Sequence, residues 1–181
     1  MVVTDDDALA ERVRLLRSHG MTSLTWDRHR GHASSYDVVA LGFNYRIDEP
    51  RAAFATTRLA RLEEDNRLRT AAAALYRERI ESLGGITATM PPISDADPAS
   101  HLFTVILNEG IDRNATRQRL AERGIQTSLH YPPVHLFTAY RVKADVPLTE
   151  EYASRAVSLP LFPAISEQQI ELVIESLAEA L

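Results

Sequence analysis

Apolar positions recur at helical spacing near both ends of the chain and gather into short strand-like runs between them. Leu9, Val13 and Leu16 follow Asp5, Asp6 and Asp7 at i, i+4 and i+7. The acidic cluster caps and favours a helix start, and Gly20 ends the segment just past Arg17 and His19. Val2-Val3 reads as the end of a strand that begins upstream. Pro50 sits where a first helical turn accepts it, after Asp48 as cap. From Arg51 to Leu83 there is neither Gly nor Pro. Ala52, Ala55, Leu59 and Leu62 form a seam that resumes at Ala73, Tyr76, Ile80 and Leu83, with polar Glu63 to Arg67 between. A helix this long with a polar middle reads as a spine joining two bodies, with a bend at that middle, and Gly84-Gly85 stops it.

The second half changes period. After a Pro/Asp/Ser loop from Pro91 to Ser100, Leu102–Leu107 is a β-rich apolar run. Asp112 caps a helix to about Arg123, Gly124 ends it, and Ile125–Tyr131 returns as a strand. A His/Pro-rich turn, a helix over Thr149–Ala156 and a strand over Val157–Leu161 follow. The last helix opens with the capping-box pair Ser166 and Gln169 and buries Ile170, Val173, Ile174, Leu177 and Leu181. Strands alternating with helices predict a two-layer α/β unit. The chain therefore divides into 1–49, the long helix 50–84, and a small α/β domain 85–181. Residues 21–49 have no sustained period, and a stretch that long without one points to short ordered pieces with a function.

Composition narrows the chemistry. With 45% hydrophobic and 25% charged residues, the 181-residue chain belongs with ordinary globular proteins. A net charge of −5 argues against a nucleic-acid coat. The arginines between Arg51 and Arg79 are interleaved with acids at three- and four-residue spacing, as on a solvated, ion-paired face. The absence of cysteine excludes a disulfide scaffold and a thiolate nucleophile, and fits a reducing, cytoplasmic setting. No apolar run is long enough to span a bilayer, and Met1 to Asp7 reads unlike a secretory leader. Of the 20 basic residues only Lys143 is lysine. Chemistry that needs a lysine amine must use Lys143 or another chain.

Few catalytic patterns survive. There is no Gly-x-Ser-x-Gly elbow and no phosphate loop ending in Gly-Lys. His29, His32, His130 and His135 lack the spacing of a metalloprotease helix, so no metal ligand is assigned. Gly42-Phe43-Asn44-Tyr45-Arg46 stands apart. Glycine permits close approach, the amide can bond a phosphate or hydroxyl, and a guanidinium pairs with anions in a fork. The run precedes a helix, whose N-terminus attracts anions. An ordinary turn into the helix, with Arg46 on the surface, is the equal alternative.

At this run a family resemblance becomes specific. Leu15-Leu16-Arg17-Ser18-His19-Gly20-Met21 and Ser35-Tyr36-Asp37-Val38-Val39-Ala40-Leu41-Gly42-Phe43-Asn44-Tyr45-Arg46-Ile47 resemble the DegT/DnrJ/EryC1/StrS family. So do Gly124-Ile125-Gln126-Thr127-Ser128-Leu129-His130-Tyr131-Pro132-Pro133-Val134-His135 and Ala156-Val157-Ser158-Leu159-Pro160-Leu161-Phe162-Pro163. These are pyridoxal-phosphate-dependent aminotransferases acting on nucleotide-linked keto sugars. Pro50 departs from the aliphatic residue usual at its place, which does not touch Asn44.

The resemblance implies the C-terminal part of a fold-type I aminotransferase: a remnant of the large cofactor domain over 1–49, the spine helix, and the small α/β domain. It implies that Asn44 hydrogen-bonds the cofactor phosphate, reaching into a neighbouring subunit's active site. Arg46 would contact an anionic group of substrate or amino donor, and His130 and His135 would stand near the sugar-nucleotide pocket. Members carry their Schiff-base lysine upstream of the strand that Met1 to Thr4 resembles, so the resemblance assigns no catalytic residue here. Lys143, in a polar turn, is expected at the surface. Arginine stays protonated and cannot replace the amine, so the chain alone is expected not to transaminate. The implied partners are a nucleotide sugar and a second subunit, as a homodimer or with a separate N-terminal half. The alternative is a non-catalytic interaction module that pairs with a full-length relative, and a His-rich metal or ligand binder ranks below both. A half of such a fold should display a large apolar patch.

Overall fold

Each helix starts where a side chain can satisfy its free N–H groups. Asp6 accepts from Leu9 N at 3.0 Å and opens α1 (Asp7–Leu16). Asp48 accepts from Arg51 N at 2.9 Å and opens α2 (Glu49–Leu59). The computed structural model describes residues 2–22, 37–88, 99–140 and 143–181, and the chain divides into two compact units, Met1–Leu59 and Ala60–Leu181. Trp26, His29, His32, Ser35 and Tyr36 lie outside the described residues.

In the first unit, the segment after α1 runs antiparallel to residues 37–45. Phe43 N donates to Leu16 O, His19 N to Phe43 O and Tyr45 N to Arg17 O, and Val39 N donates to Gly20 O at 3.0 Å. Single bridges join Ser18 to Asn44 and Met21 to Val38. Neither α1 nor α2 has a buried residue. Val2-Val3, expected to end a strand, pairs with no strand among the described residues and is exposed.

The expected spine is interrupted. α2 ends at Leu59, Ala60 and Arg61 form a turn, and α3 (Leu62–Glu81) begins the second unit. Thr56 and Thr57 turn their hydroxyls back to Ala52 O and Ala53 O, bonds that compete with the helix's own ladder. The two halves of the apolar seam also differ in burial. Ala73, Tyr76 and Ile80 are core, whereas Leu59 and Leu62 are exposed. The polar middle is not solvated all round either, since Asp65 is buried, with Arg61 at 3.7 Å.

The second unit is two layers. Its antiparallel sheet has the order β1 (Ile86–Ala88), β2 (Phe103–Leu107), β3 (Ala156–Leu159). The register pairs Phe103 with Leu159, Thr104 with Ser158 and Val105 with Val157. Alternation sends Phe103, Val105, Leu107, Val157 and Leu159 into the core with Tyr76 and Ile80 of α3, Leu120 of α4 (Arg113–Glu122), and Ile170, Val173 and Leu177 of α6 (Glu167–Ala180). Thr104 and Ser158 face the other way. Asp112 caps α4 through Asn114 N and Ala115 N, and the Ser166–Gln169 capping box is complete. β1 carries no period a sequence could show, because it is three residues long.

Two expected strands are shorter than their apolar runs. Ile125–Tyr131 contributes one bridge, Ser128 to Ser158, before Pro132 and Pro133 remove the next N–H donors. β3 stops before Pro160 for the same reason. α5 (Pro147–Arg155) leads directly into it.

Candidate functional site

Two groups of side chains are candidates for a functional site, one in each unit. In the first, the Phe43–Arg46 corner exists because two glycines let the chain cross itself. A methyl on Gly42 would overlap Gly20 N and His19 C, and one on Gly20, whose φ is +70°, would strike Ala40 O. The corner lies at the surface. Asn44 and Arg46 are exposed, and Arg46 Nη2 meets His19 Nε2 at 2.9 Å. An exposed amide and guanidinium two residues apart suit an oxyanion. The start of α2 does not add to this, because the Asp48 carboxylate already occupies it and pairs with Arg51. The groups free to meet an oxyanion here are side chains, not the helix end.

Around that corner the surface is apolar. Leu41 is 98% exposed, Phe43 55%, Tyr45 71% and Ile47 60%, alternate residues of one extended run. The Phe43 and Tyr45 rings stack at 5.0 Å. Val38, Val39 and Phe54 are exposed as well. Single exposed apolar residues are ordinary, but a row of this kind marks an interaction surface.

In the second unit, a cavity of about 280 Å³ is lined by Ala156 of β3 and by Ala153 and Ser154 of α5. His130, Tyr131, Pro132, Leu136 and Glu150 form much of its wall. His130 Nδ1 lies 2.9 Å from Ser158 Oγ, which lies 2.8 Å from Thr104 Oγ1. The Tyr131 ring stands edge-on to the imidazole at 4.9 Å, and the His130–Tyr131 peptide is cis. His135, in a 3-10 turn over Val134–Leu136, bonds Glu150 of α5 through Nε2 at 2.8 Å. Arg113, another wall residue, donates to Ala153 O. The cavity is therefore largely apolar with a few polar groups at its edge, the usual make-up of a small-molecule site.

The structure brings Asn44 and Arg46 to one corner, and His130 together with His135's partner Glu150 to one cavity. Sequence reasoning missed Glu150, Thr104 and Ser158. Ser158 and Thr104 each left a faint signal as the single hydroxyl inside an otherwise apolar strand. Lys143 is exposed. Among the described residues no cluster of His, Cys, Asp and Glu has the makings of a metal site, and His29 and His32 lie outside them. No helix among the described residues is long and apolar enough to cross a membrane.

Comparison with known proteins matches residues 1–178 to the model of the DegT/DnrJ/EryC1/StrS aminotransferase family. DesV from S. venezuelae shares 36% identity over 98% of this chain and 45% of its own, with a TM-score of 0.82. The aminotransferase TlmJ from Streptoalloteichus hindustanus shares 28% over 97% of this chain and 45% of its own, with a TM-score of 0.83. Spr1654 from Streptococcus pneumoniae in its PLP-form has a like fold, with a TM-score of 0.83 at 22% identity over 98% of this chain and 44% of its own. The chain thus spans less than half the length of each of these structures.

Proposed function

The chain belongs to the DegT/DnrJ/EryC1/StrS aminotransferase family, and from that premise we propose that it forms part of a pyridoxal-phosphate pocket completed by another polypeptide segment or subunit. The observation that carries this reading is the exposed Phe43–Arg46 corner, with its two oxyanion-binding side chains amid an uncovered apolar row. Asn44 holds the cofactor phosphate through its amide. Arg46, oriented by His19, takes an anionic group of substrate or amino donor. The apolar row docks against the partner and keeps water from these contacts.

The residues fit one end of the cofactor only. Its phosphate has matching donors, but its covalent anchor has none, because the single lysine, Lys143, is an exposed residue in the other unit. Bound pyridoxal phosphate would supply the carbonyl and electron sink for amino transfer. In the paired enzyme the amino group passes from an amino acid, glutamate in our reading, to a nucleotide-linked keto sugar. His130 lines the cavity on the sugar-nucleotide side, held by one ring nitrogen and leaving the other for the ligand, and His135 stands beside it through its bond to the wall residue Glu150. A cytoplasmic setting suits this substrate.

On its own the chain does not transaminate. Borohydride trapping with pyridoxal phosphate, read by mass spectrometry, is expected to leave Lys143 unmodified, with no amino sugar formed. A reduced Lys143 adduct together with amino-sugar product would overturn this. Binding to an intact relative without any cofactor contribution would instead support an interaction module.

A further inference from the structure

A continuous hydrogen-bonded path leads from the middle of the sheet to the cavity wall. Thr104 and Ser158 are directly paired across β2 and β3, and both are buried. On its other edge the Ser158 backbone exchanges two bonds with Ser128, at 3.1 and 2.9 Å. Ser158 is thereby fixed by β2 on one side and, on the other, by the segment that carries His130. Its hydroxyl meets His130 Nδ1, and Tyr131 closes on the imidazole edge-on. His130 Nε2 meets no hydrogen-bond partner among the described residues.

We propose that Ser158, backed by Thr104, is a positioning residue that sets the ring orientation and neutral tautomer of His130, so that a protonated Nε2 faces the ligand. The inference rests on the sugar-nucleotide reading only for what Nε2 meets. Each hydroxyl has one proton to give. Thr104 donates to Ser158, Ser158 donates to the Nδ1 lone pair, and the ring proton resides on Nε2. Free histidine side chains already favour that tautomer, and the relay reinforces it. His130 then offers an N–H to a hydroxyl or phosphoryl oxygen, the acceptors in which a nucleotide sugar is rich. A hydrogen bond to one ring nitrogen is the usual device for selecting a histidine tautomer.

The test uses the full 181-residue chain, labelled with nitrogen-15, and reads two-bond proton–nitrogen spectra of His130 at pH 9. The parent chain is expected to show widely separated ring nitrogens with Nε2 in the protonated range. Ser158→Ala is expected to move both toward the average of an exposed histidine. Shifts unchanged in Ser158→Ala, or a proton on Nδ1 in the parent, would overturn the proposal. If circular dichroism shows Ser158→Ala unfolded, Thr104→Val carries the test, with a smaller shift in the same direction expected and no shift contradicting it. His130→Ala in the paired enzyme separates the two readings. A tautomer that responds as expected, with an unchanged KM for nucleotide sugar, would leave the positioning role intact and remove His130 from substrate binding.

Discussion

Tyr76 shows how one buried group sets a limit on the fold. Its ring is buried against Phe103, and its hydroxyl donates to Pro160 O at 3.0 Å. Burial pushes the phenol well above the usual tyrosine range. The folded chain therefore keeps a proton that the unfolded chain gives up near pH 10. Tyr76's share of stability is complete below that pH and falls above it, by about 1.4 kcal/mol per pH unit. Urea unfolding at pH 8 and pH 11 should show this slope in the parent and a shallower one in Tyr76→Phe. The variant should cost about 1 kcal/mol at pH 8 for the lost hydrogen bond. Gly42 is a residue-scale constraint of another kind. Gly42→Ala puts a methyl into the backbone of His19 and Gly20, so the two crossing segments must move apart. A cost on the order of 1–3 kcal/mol is expected, seen as faster amide exchange at His19 and Tyr45.

At the scale of elements, capping residues and glycines located the helix starts well, because each acts through local bonds that a sequence displays. Asp6, Asp112 and Ser166 all cap as their positions imply. Ser166→Ala should lower stability by about 1 kcal/mol, a thermal-midpoint loss of a few degrees, while Ser154→Ala, an exposed site within α5, should change it far less. Strand lengths were less legible. The run Ile125–Tyr131 is apolar enough for a strand, yet pairing depends on where prolines and neighbouring strands fall. The Arg51–Leu83 seam has helical period throughout, but a period cannot say which half finds something to pack on. The candidate site divides in the same way. Asn44 and Arg46 were legible because they lie in one contiguous string. Ser158 and Thr104 lie far apart in sequence, and only the β2–β3 register joins them.

For the whole molecule, the distribution of burial is the central fact. Every residue of the apolar core cluster lies at Ala72 or beyond, while the unit Met1–Leu59 exposes Leu41, Phe43, Tyr45, Ile47 and Phe54. Hydrophobic burial is the main favourable term in folding and association, about 1.5–3 kcal/mol for each large side chain covered. A unit whose described residues form no apolar core of their own calls for a partner surface. Phe43→Asp should accordingly weaken pairing at least tenfold in sedimentation experiments and leave the thermal unfolding of residues 60–181 unchanged. The most direct measurement combines the chain with a polypeptide spanning the preceding half of a family member such as DesV, followed by gel filtration in pyridoxal phosphate. Our account predicts co-elution with cofactor absorbance, and at least a tenfold weaker cofactor retention for Asn44→Ala. Separate elution of the two polypeptides, or equal retention by Asn44→Ala, would contradict it.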